Sequence, residues 1–184
     1  RTWRDLPQAV YQIHWKFRDE LRSKSGLLRG REFLMKDMYS FHENQEDFER
    51  FYETVKQAYL KAFRRLGLVS KVTEASGGAF SEKISYEFMV LTGAGEDDIL
   101  YCDACEFCVN VQIAKQNEQD ACPKCGRGKL ARAKASEVGN VFDLGTGVVP
   151  EVRRQPLPLF NPQFTYLADS QDNFAWAVFG NVDF

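Results

Sequence analysis

The sequence predicts an α+β fold: a mainly antiparallel sheet with flanking helices and one small cysteine-bearing insertion. Three observations predict it. Side chains alternate along residues 10–15, and a second extended run returns at residues 29–33, as the two strands of a hairpin would. Apolar residues recur at three- and four-residue spacing across residues 43–66, the period of a helix with one buried face. Two Cys-x-x-Cys pairs, Cys102/Cys105 and Cys122/Cys125, stand sixteen residues apart.

Taken in order, residues 5–16 read as a loop feeding an extended segment, in which Val10, Gln12 and His14 alternate with Tyr11, Ile13 and Trp15. Arg18 and Glu20 sit two apart, so on a strand they share a face. A glycine-marked turn at Ser25-Gly26 reverses the chain, and the returning strand presents Arg29, Arg31 and Phe33 on one face. The helix buries Phe48, Phe51/Tyr52, Val55, Tyr59 and Phe63 as core, with Asn44 as N-cap and Gly67 as its stop. Residues 68–74 read as a strand entering the Ser76-Gly77-Gly78 turn, and residues 86–91 as a second strand. Glu96-Asp97-Asp98 reads as a solvated turn before Ile99-Leu100-Tyr101. Residues 137–146 read as another strand and turn, and a final strand is expected near residues 174–179. No internal repeat or low-complexity linker is present.

At 184 residues the chain can build one good core, or one core and a small satellite. Its 44% hydrophobic content is ordinary for a globular protein, and a net charge of −2 argues against a generic polyanion binder. The charge is uneven: residues 1–36 hold nine Lys/Arg against four acids, which favours phosphates near the N-terminal third. A basic surface with no ligand has the same composition. No run of 18 apolar residues exists, so no transmembrane helix is expected. No signal-peptide core follows Arg1, and without an initiator methionine the chain reads as processed, trimmed or, preferably, a fragment.

All five cysteines lie between residues 102 and 125. Without a secretion signal such a cluster reads as metal-binding rather than disulfide-bonded. Two residues between thiolates let both sulfurs of a knuckle reach one tetrahedral ion, and two knuckles complete a four-thiolate site with no open position. Cys102, Cys105, Cys122 and Cys125 are therefore the candidate ligands of a structural Zn²⁺ in a zinc-ribbon-like insertion. Cys108 is the spare, either a small thiol or a competitor of Cys105. A redox Cys-x-x-Cys is the runner-up, but such motifs do not come as two spaced pairs.

The hairpin offers guanidinium groups for phosphate, a carboxylate for an amino group and an aromatic ring for a base. Spacing alone equally fits a solvated, salt-bridged face. The string itself decides more. Phe17-Arg18-Asp19-Glu20 followed by Leu28-Arg29-Gly30-Arg31-Glu32-Phe33-Leu34-Met35-Lys36-Asp37-Met38-Tyr39-Ser40-Phe41-His42 closely resembles motif 2 of class II aminoacyl-tRNA synthetases, in the form of the bacterial-type prolyl-tRNA synthetases. The likeness continues through Glu74-Ala-Ser-Gly-Gly78, Tyr86-Glu-Phe-Met-Val-Leu91, Gly95-Glu-Asp-Asp98, Val109-Asn110 and residues 137–146.

The resemblance implies a class II synthetase-like sheet and ATP-dependent activation of proline, followed by transfer to tRNA(Pro). It implies ATP with Mg²⁺ as cofactor, a cytoplasmic setting and a homodimer for the full-length enzyme. Residue by residue, Arg18 would contact the α-phosphate, Glu20 the adenine amino group, Arg29 the β- and γ-phosphates, and Phe33 would stack on adenine. Arg18 and Arg29 would be the catalytic pair, stabilising charge as the prolyl carboxylate attacks. Asp37, Tyr39, Phe41 and His42 would lie near the amino-acid pocket, with His42 weighed as a satisfied core or supporting histidine.

There are departures. The family's motif 1 and its upstream Thr-x-Glu are not found, and Tyr86 and Asn140 stand where the family has histidines. No motif 3, anticodon-binding domain or large editing insertion is recognised, and the likeness stops after Thr146. The expected organisation is a core portion at 1–100, the cysteine insertion at 101–130, and a return to the core with a divergent tail at 131–184. The alternative is a non-catalytic zinc-binding module for RNA or protein contact, of synthetase ancestry.

Overall fold

The computed structural model describes residues 5–21, 23, 29–78, 81–145 and the backbone of 178–183. Its elements run β1 (Gln8–Phe17), β2 (Glu32–Phe41), α1 (Gln45–Arg65), β3 (Ser70–Ser76), β4 (Ile84–Leu91), β5 (Asp97–Cys102), β6 (Cys108–Asn110), β7 (Leu130–Asp143) and β8 (Val178–Asp183). They build one sheet in the order β1-β2-β8-β7-β4-β3-β6-β5. Every pairing is antiparallel except the single β3–β6 contact.

β7 reaches two neighbours because it is 14 residues long. Its first part pairs with β5 from Leu130 to Ala135, and its second with β4 from Ala135 to Val141. With the β3–β4, β3–β6 and β5–β6 pairings this closes a five-stranded ring. Closure through the short β6 shortens the free edge of the sheet at this end. Met89, Ile99, Cys108 and Ala135 pack together as the ring's core. A register shift between Phe88 and Met89 lets β4 serve both this core and the open sheet.

α1 forms where its period predicts. The Asn44 side chain accepts from the Asp47 backbone N–H at 2.9 Å, and Gly67 adopts a φ of 78° just past the last turn. Glu46 and Asp47 lie in the first turn and Arg64 and Arg65 in the last, each complementing the helix dipole. Its buried Phe48, Tyr52, Val55, Tyr59 and Phe63 pack on Phe88 and Val141, flanked by Met38, Val72, Tyr86 and Val138. Tyr59 stacks on Phe88 at 4.8 Å, and Tyr52 Oη donates to the Val141 carbonyl at 2.8 Å. α1 therefore covers one face of the sheet and leaves the opposite face for chemistry.

Several boundaries differ from expectation. The β1–β2 ladder stops at Phe17 and Glu32, with one further bond from Arg18 N–H to the Arg31 carbonyl at 2.9 Å. Arg18, Glu20, Arg29 and Arg31 thus lie on the loop arms rather than in the strands. The Ser25-Gly26 turn, residues 146–150 and residues 151–177 lie outside the described residues. β7 begins seven residues before residue 137, because the chain leaving the second knuckle pairs at once with β5. Asp97 and Asp98 belong to β5 rather than to a turn: backbone pairing with Ala135 and Lys134 holds them, and Arg132 and Lys134 neutralise Asp98. No helix among the described residues is long and apolar enough to cross a membrane.

Candidate functional site

The face opposite α1 carries a polar row. Met38 packs against the α1 core, so by strand alternation Phe33, Met35, Asp37 and Tyr39 occupy the other side of β2. Register then aligns Gln12 with Asp37, Asp37 with position 181, position 181 with Asn140, Asn140 with Glu87, and Glu87 with Thr73. Asp37, at 1% exposure, accepts from Gln12 Nε2 at 2.8 Å and pairs with Lys16 Nζ at 3.1 Å. Burial and the neighbouring Asp37 push the half-buried Tyr39 phenol up to about 12. Burial, then the nearby Glu137 carboxylate, pushes Glu87 up to about 7, although Asn110 donates to it at 3.4 Å. Asn140, 6% exposed, holds a buried side-chain oxygen with no hydrogen-bond partner among the described residues.

The hairpin arms meet beside this row. The Arg18 guanidinium lies over the Phe33 ring, 5.0 Å from its centroid. Arg29 reaches Glu20 from Nη1 at 3.6 Å and Glu96 from Nη2 at 2.7 Å. Arg31 Nε donates to the Glu20 carbonyl at 3.1 Å. Four of the residues singled out in the sequence, Arg18, Glu20, Arg29 and Phe33, thus come together as two contacting pairs. The arrangement offers two guanidinium groups, a carboxylate and an aromatic face at one mouth, a set suited to an anion joined to a flat heterocycle. Asp97 feels the charges of Arg29 and Glu96, and in turn acts on Glu87, so the hairpin and the polar row share one electrostatic environment.

The other residues singled out on β2 divide between the two faces. Asp37 and Tyr39 stand in or beside the polar row, and Phe41, half-buried at the strand end, pairs in register with Gln8. His42 is held on the α1 side: Nδ1 meets Asp47 Oδ2 at 2.6 Å, Nε2 meets Ser40 Oγ at 2.9 Å, and the ring packs against Phe48 and Phe51. Reading the sequence missed Glu96, placed in a solvated turn, because its partner Arg29 is remote in the chain. Gln12 was legible in principle, since a hairpin register that brings it opposite Asp37 follows from alternation.

The four Cys-x-x-Cys sulfurs converge. Cys102 and Cys125 lie 3.7 Å apart, Cys105 and Cys122 3.6 Å, and all four Sγ atoms lie within 4.8 Å of one another. A tetrahedral ion with Zn–S bonds of about 2.3 Å sets its sulfurs about 3.8 Å apart, so the donor set fits. The knuckles are shaped by backbone. Gly126 takes a φ of 66°, and a Cβ on Gly128 would collide with Cys102 Sγ and Asp103. Backbone N–H groups of Gly128 and Arg127 pull the Cys125 thiol down to about 6, whereas burial pushes Cys102 up to about 12. Leu130, fully buried, packs against the cluster with Phe107. Cys108 lies apart in the ring core, accepting from Thr73 Oγ1 at 3.1 Å, and is not a fifth member.

Comparison with known proteins bears on the family and the fold. The family model of the tRNA synthetase class II core domain (G, H, P, S and T) matches residues 1–151. A proline–tRNA ligase of Wolinella succinogenes is 43% identical over 141 residues, 77% of this chain and 25% of that protein. One of Nitratiruptor sp. is 50% identical over 120 residues, 65% of this chain and 21% of that protein. The chain thus spans about a quarter of the length of the curated relatives it matches. A solved prolyl-tRNA synthetase of Cryptosporidium parvum, complexed with L-proline and AMP, shares the fold. Its TM-score is 0.59 at 15% identity, over 100% of this chain and 30% of that one. The chain belongs to the class II tRNA synthetase core-domain family, and the curated relatives named here are prolyl members of it.

Proposed function

We propose that this chain supplies the ATP-binding part of a proline–tRNA ligase catalytic core. The observation that carries the reading is the meeting of Arg18 with Phe33 and of Glu20 with Arg29 at one hairpin mouth, beside the polar row. Arg18 binds the α-phosphate, Arg29 the β- and γ-phosphates, Glu20 the adenine amino group, and Phe33 stacks on the base once Arg18 moves to phosphate. A prolyl carboxylate oxygen attacks the α-phosphorus, the bond to the bridging oxygen breaks, and pyrophosphate leaves. No side chain need take a proton, because the attacking carboxylate is already ionised. The guanidinium pair stabilises the developing charge and aligns the reactants. Mg²⁺ accompanies ATP and neutralises the phosphates.

Asp37, Tyr39, Phe41 and His42 are assigned to the surroundings of the amino-acid pocket, Asp37 and Tyr39 facing it and His42 bracing β2 against α1. Cys102, Cys105, Cys122 and Cys125 hold a structural Zn²⁺ in a zinc-ribbon-like insertion, which locks the end of the five-stranded ring and takes no part in chemistry. The organisation we adopt is a core portion at 1–100, the zinc-bearing insertion at 101–130, and a return to the core with its tail at 131–184. Within the longer enzyme the partners are proline, tRNA(Pro) and a second copy, in the cytoplasm. The chain alone is expected to bind ATP weakly and to lack full aminoacylation activity.

The test is proline-dependent ATP–pyrophosphate exchange, with zinc content read from the same sample. Exchange that vanishes in Arg18→Ala supports a catalytic core. Bound zinc with neither exchange nor nucleotide binding, but with retained RNA binding, favours a non-catalytic interaction module.

A further inference from the structure

We infer that Glu96 is a positioning residue that aims Arg29 at the β- and γ-phosphates of the nucleotide; this rests on the ATP reading of the hairpin. Among the described residues Arg29 has two carboxylate partners, and they are unequal. Glu96 Oε2 lies 2.7 Å from Nη2, the length of a charge-assisted hydrogen bond, whereas Glu20 Oε2 lies 3.6 Å from Nη1, an ion pair beyond hydrogen-bond range. A guanidinium carries five N–H donors. Glu96 occupies one edge and leaves donors on Nη1 and Nε for phosphate oxygens. Glu20 is the partner that gives way, its carboxylate turning to the adenine amino group as Nη1 turns to phosphate.

Glu96 can act as an anchor because its own position is set by the five-stranded ring. Gly95 N–H donates to the Thr92 carbonyl at 3.0 Å, and a Cβ at Gly95 would overlap the Ala135 backbone, so the turn is pressed flat on β7. The next residue, Asp97, opens β5 and pairs with Ala135. Arg29, by contrast, lies outside the β1–β2 ladder, on a loop arm of the hairpin. The ion pair therefore ties a loop-arm member of the proposed ATP clamp to a turn held against the five-stranded ring. An anchored cation loses less freedom when phosphate arrives than a free one.

The experiment is calorimetric titration of the zinc-loaded chain with Mg-ATP and with AMP, for the wild type, Glu96→Ala and Glu96→Gln. AMP lacks the phosphates that Arg29 serves. Glu96→Ala should weaken ATP about tenfold, as expected for loss of one hydrogen bond to a charged group, and leave AMP unchanged. Glu96→Gln keeps an acceptor and should fall between. Equal losses for ATP and AMP overturn the inference in favour of a merely structural residue. Unchanged ATP binding overturns it, and tighter ATP binding overturns it in favour of a latch that competes with phosphate. If Glu96→Ala fails to fold, the near-isosteric Glu96→Gln is judged on the same criteria. A wild-type chain that binds neither nucleotide overturns the ATP reading itself, a failure visible before any variant is compared.

Discussion

The cysteine module and the arms of the β1–β2 hairpin each gather four polar or aromatic side chains, yet they solve opposite problems. In the module the sulfurs face inward: Cys102 and Cys122 are almost fully buried, Cys102 touches Cys125 and Cys105 touches Cys122, and Leu130 seals the cluster. Nothing is left open for a substrate. In the hairpin Arg18, Glu20 and Arg29 lie beyond the ladder and Phe33 near its end, Arg29 is about one-third exposed, and the contacts of Arg18 with Phe33 and of Arg29 with Glu20 are ones that a ligand could replace. The difference teaches that closure serves stability and that replaceable contacts serve binding.

The largest effect should come from breaking the closed site. Cys102→Ser, or chelation, forfeits metal binding of the kind worth about 10–16 kcal/mol in zinc-finger peptides. Hydrogen exchange should show β5, β6 and the first half of β7 unprotected, while α1 and β2 stay protected. Next, Phe88→Ala removes the ring on which Tyr59 and Phe63 pack and should cost about 3–5 kcal/mol in urea unfolding. Loss of ATP binding beyond that due to unfolding would show that the hairpin depends on the α1 core more than its open geometry implies.

The open site should respond differently. Arg18→Ala should weaken ATP about 10- to 100-fold with an unchanged melting temperature, since it deletes the proposed charge-assisted bonds to the ligand and, among the described residues, a cation–π contact. A large drop in melting temperature would erase the contrast between the regions.

Glu87 sharpens the comparison through pH. Its folded-state value is raised to about 7, above the ordinary 4.5. The folded state then binds more protons than the unfolded one between those values, so stability falls as pH rises through that window. The contribution is present in full below the ordinary value and gone above about 7, on the order of 1–3 kcal/mol. Urea unfolding at pH 4.5, 6 and 8 should show the decline, and Glu87→Gln should flatten it, with Glu137 and Asp97 still facing the site. The smallest effect belongs to Asp98→Asn on the outside of the ring. Its solvent-screened pairs with Arg132 and Lys134 should leave the urea midpoint nearly unchanged.

Much of this was legible in the chain, for physical reasons that also mark the limits. α1 was readable to within two residues because its cap, its apolar stripe and Gly67 are all local signals. The gathering of Cys102, Cys105, Cys122 and Cys125 was readable because knuckle spacing is local, and Cys108 was separated from them only when β6 turned it into the ring. The ring was not foreseen, since its closure depends on one long strand pairing with two neighbours. Glu96 was read as solvent-facing for the same reason, its role arising from contact with a residue in a distant hairpin. Arg18 and Phe33 were singled out, in separate roles, by the resemblance, while their contact with one another came only from the fold.

The most direct test of the account is calorimetric titration of Mg-ATP into the zinc-loaded chain, beside an Arg18→Ala/Arg29→Ala variant of matched zinc content and melting temperature. The account predicts weak, saturable binding to the wild type and none to the variant. No binding to either, or equal binding to both, would contradict it.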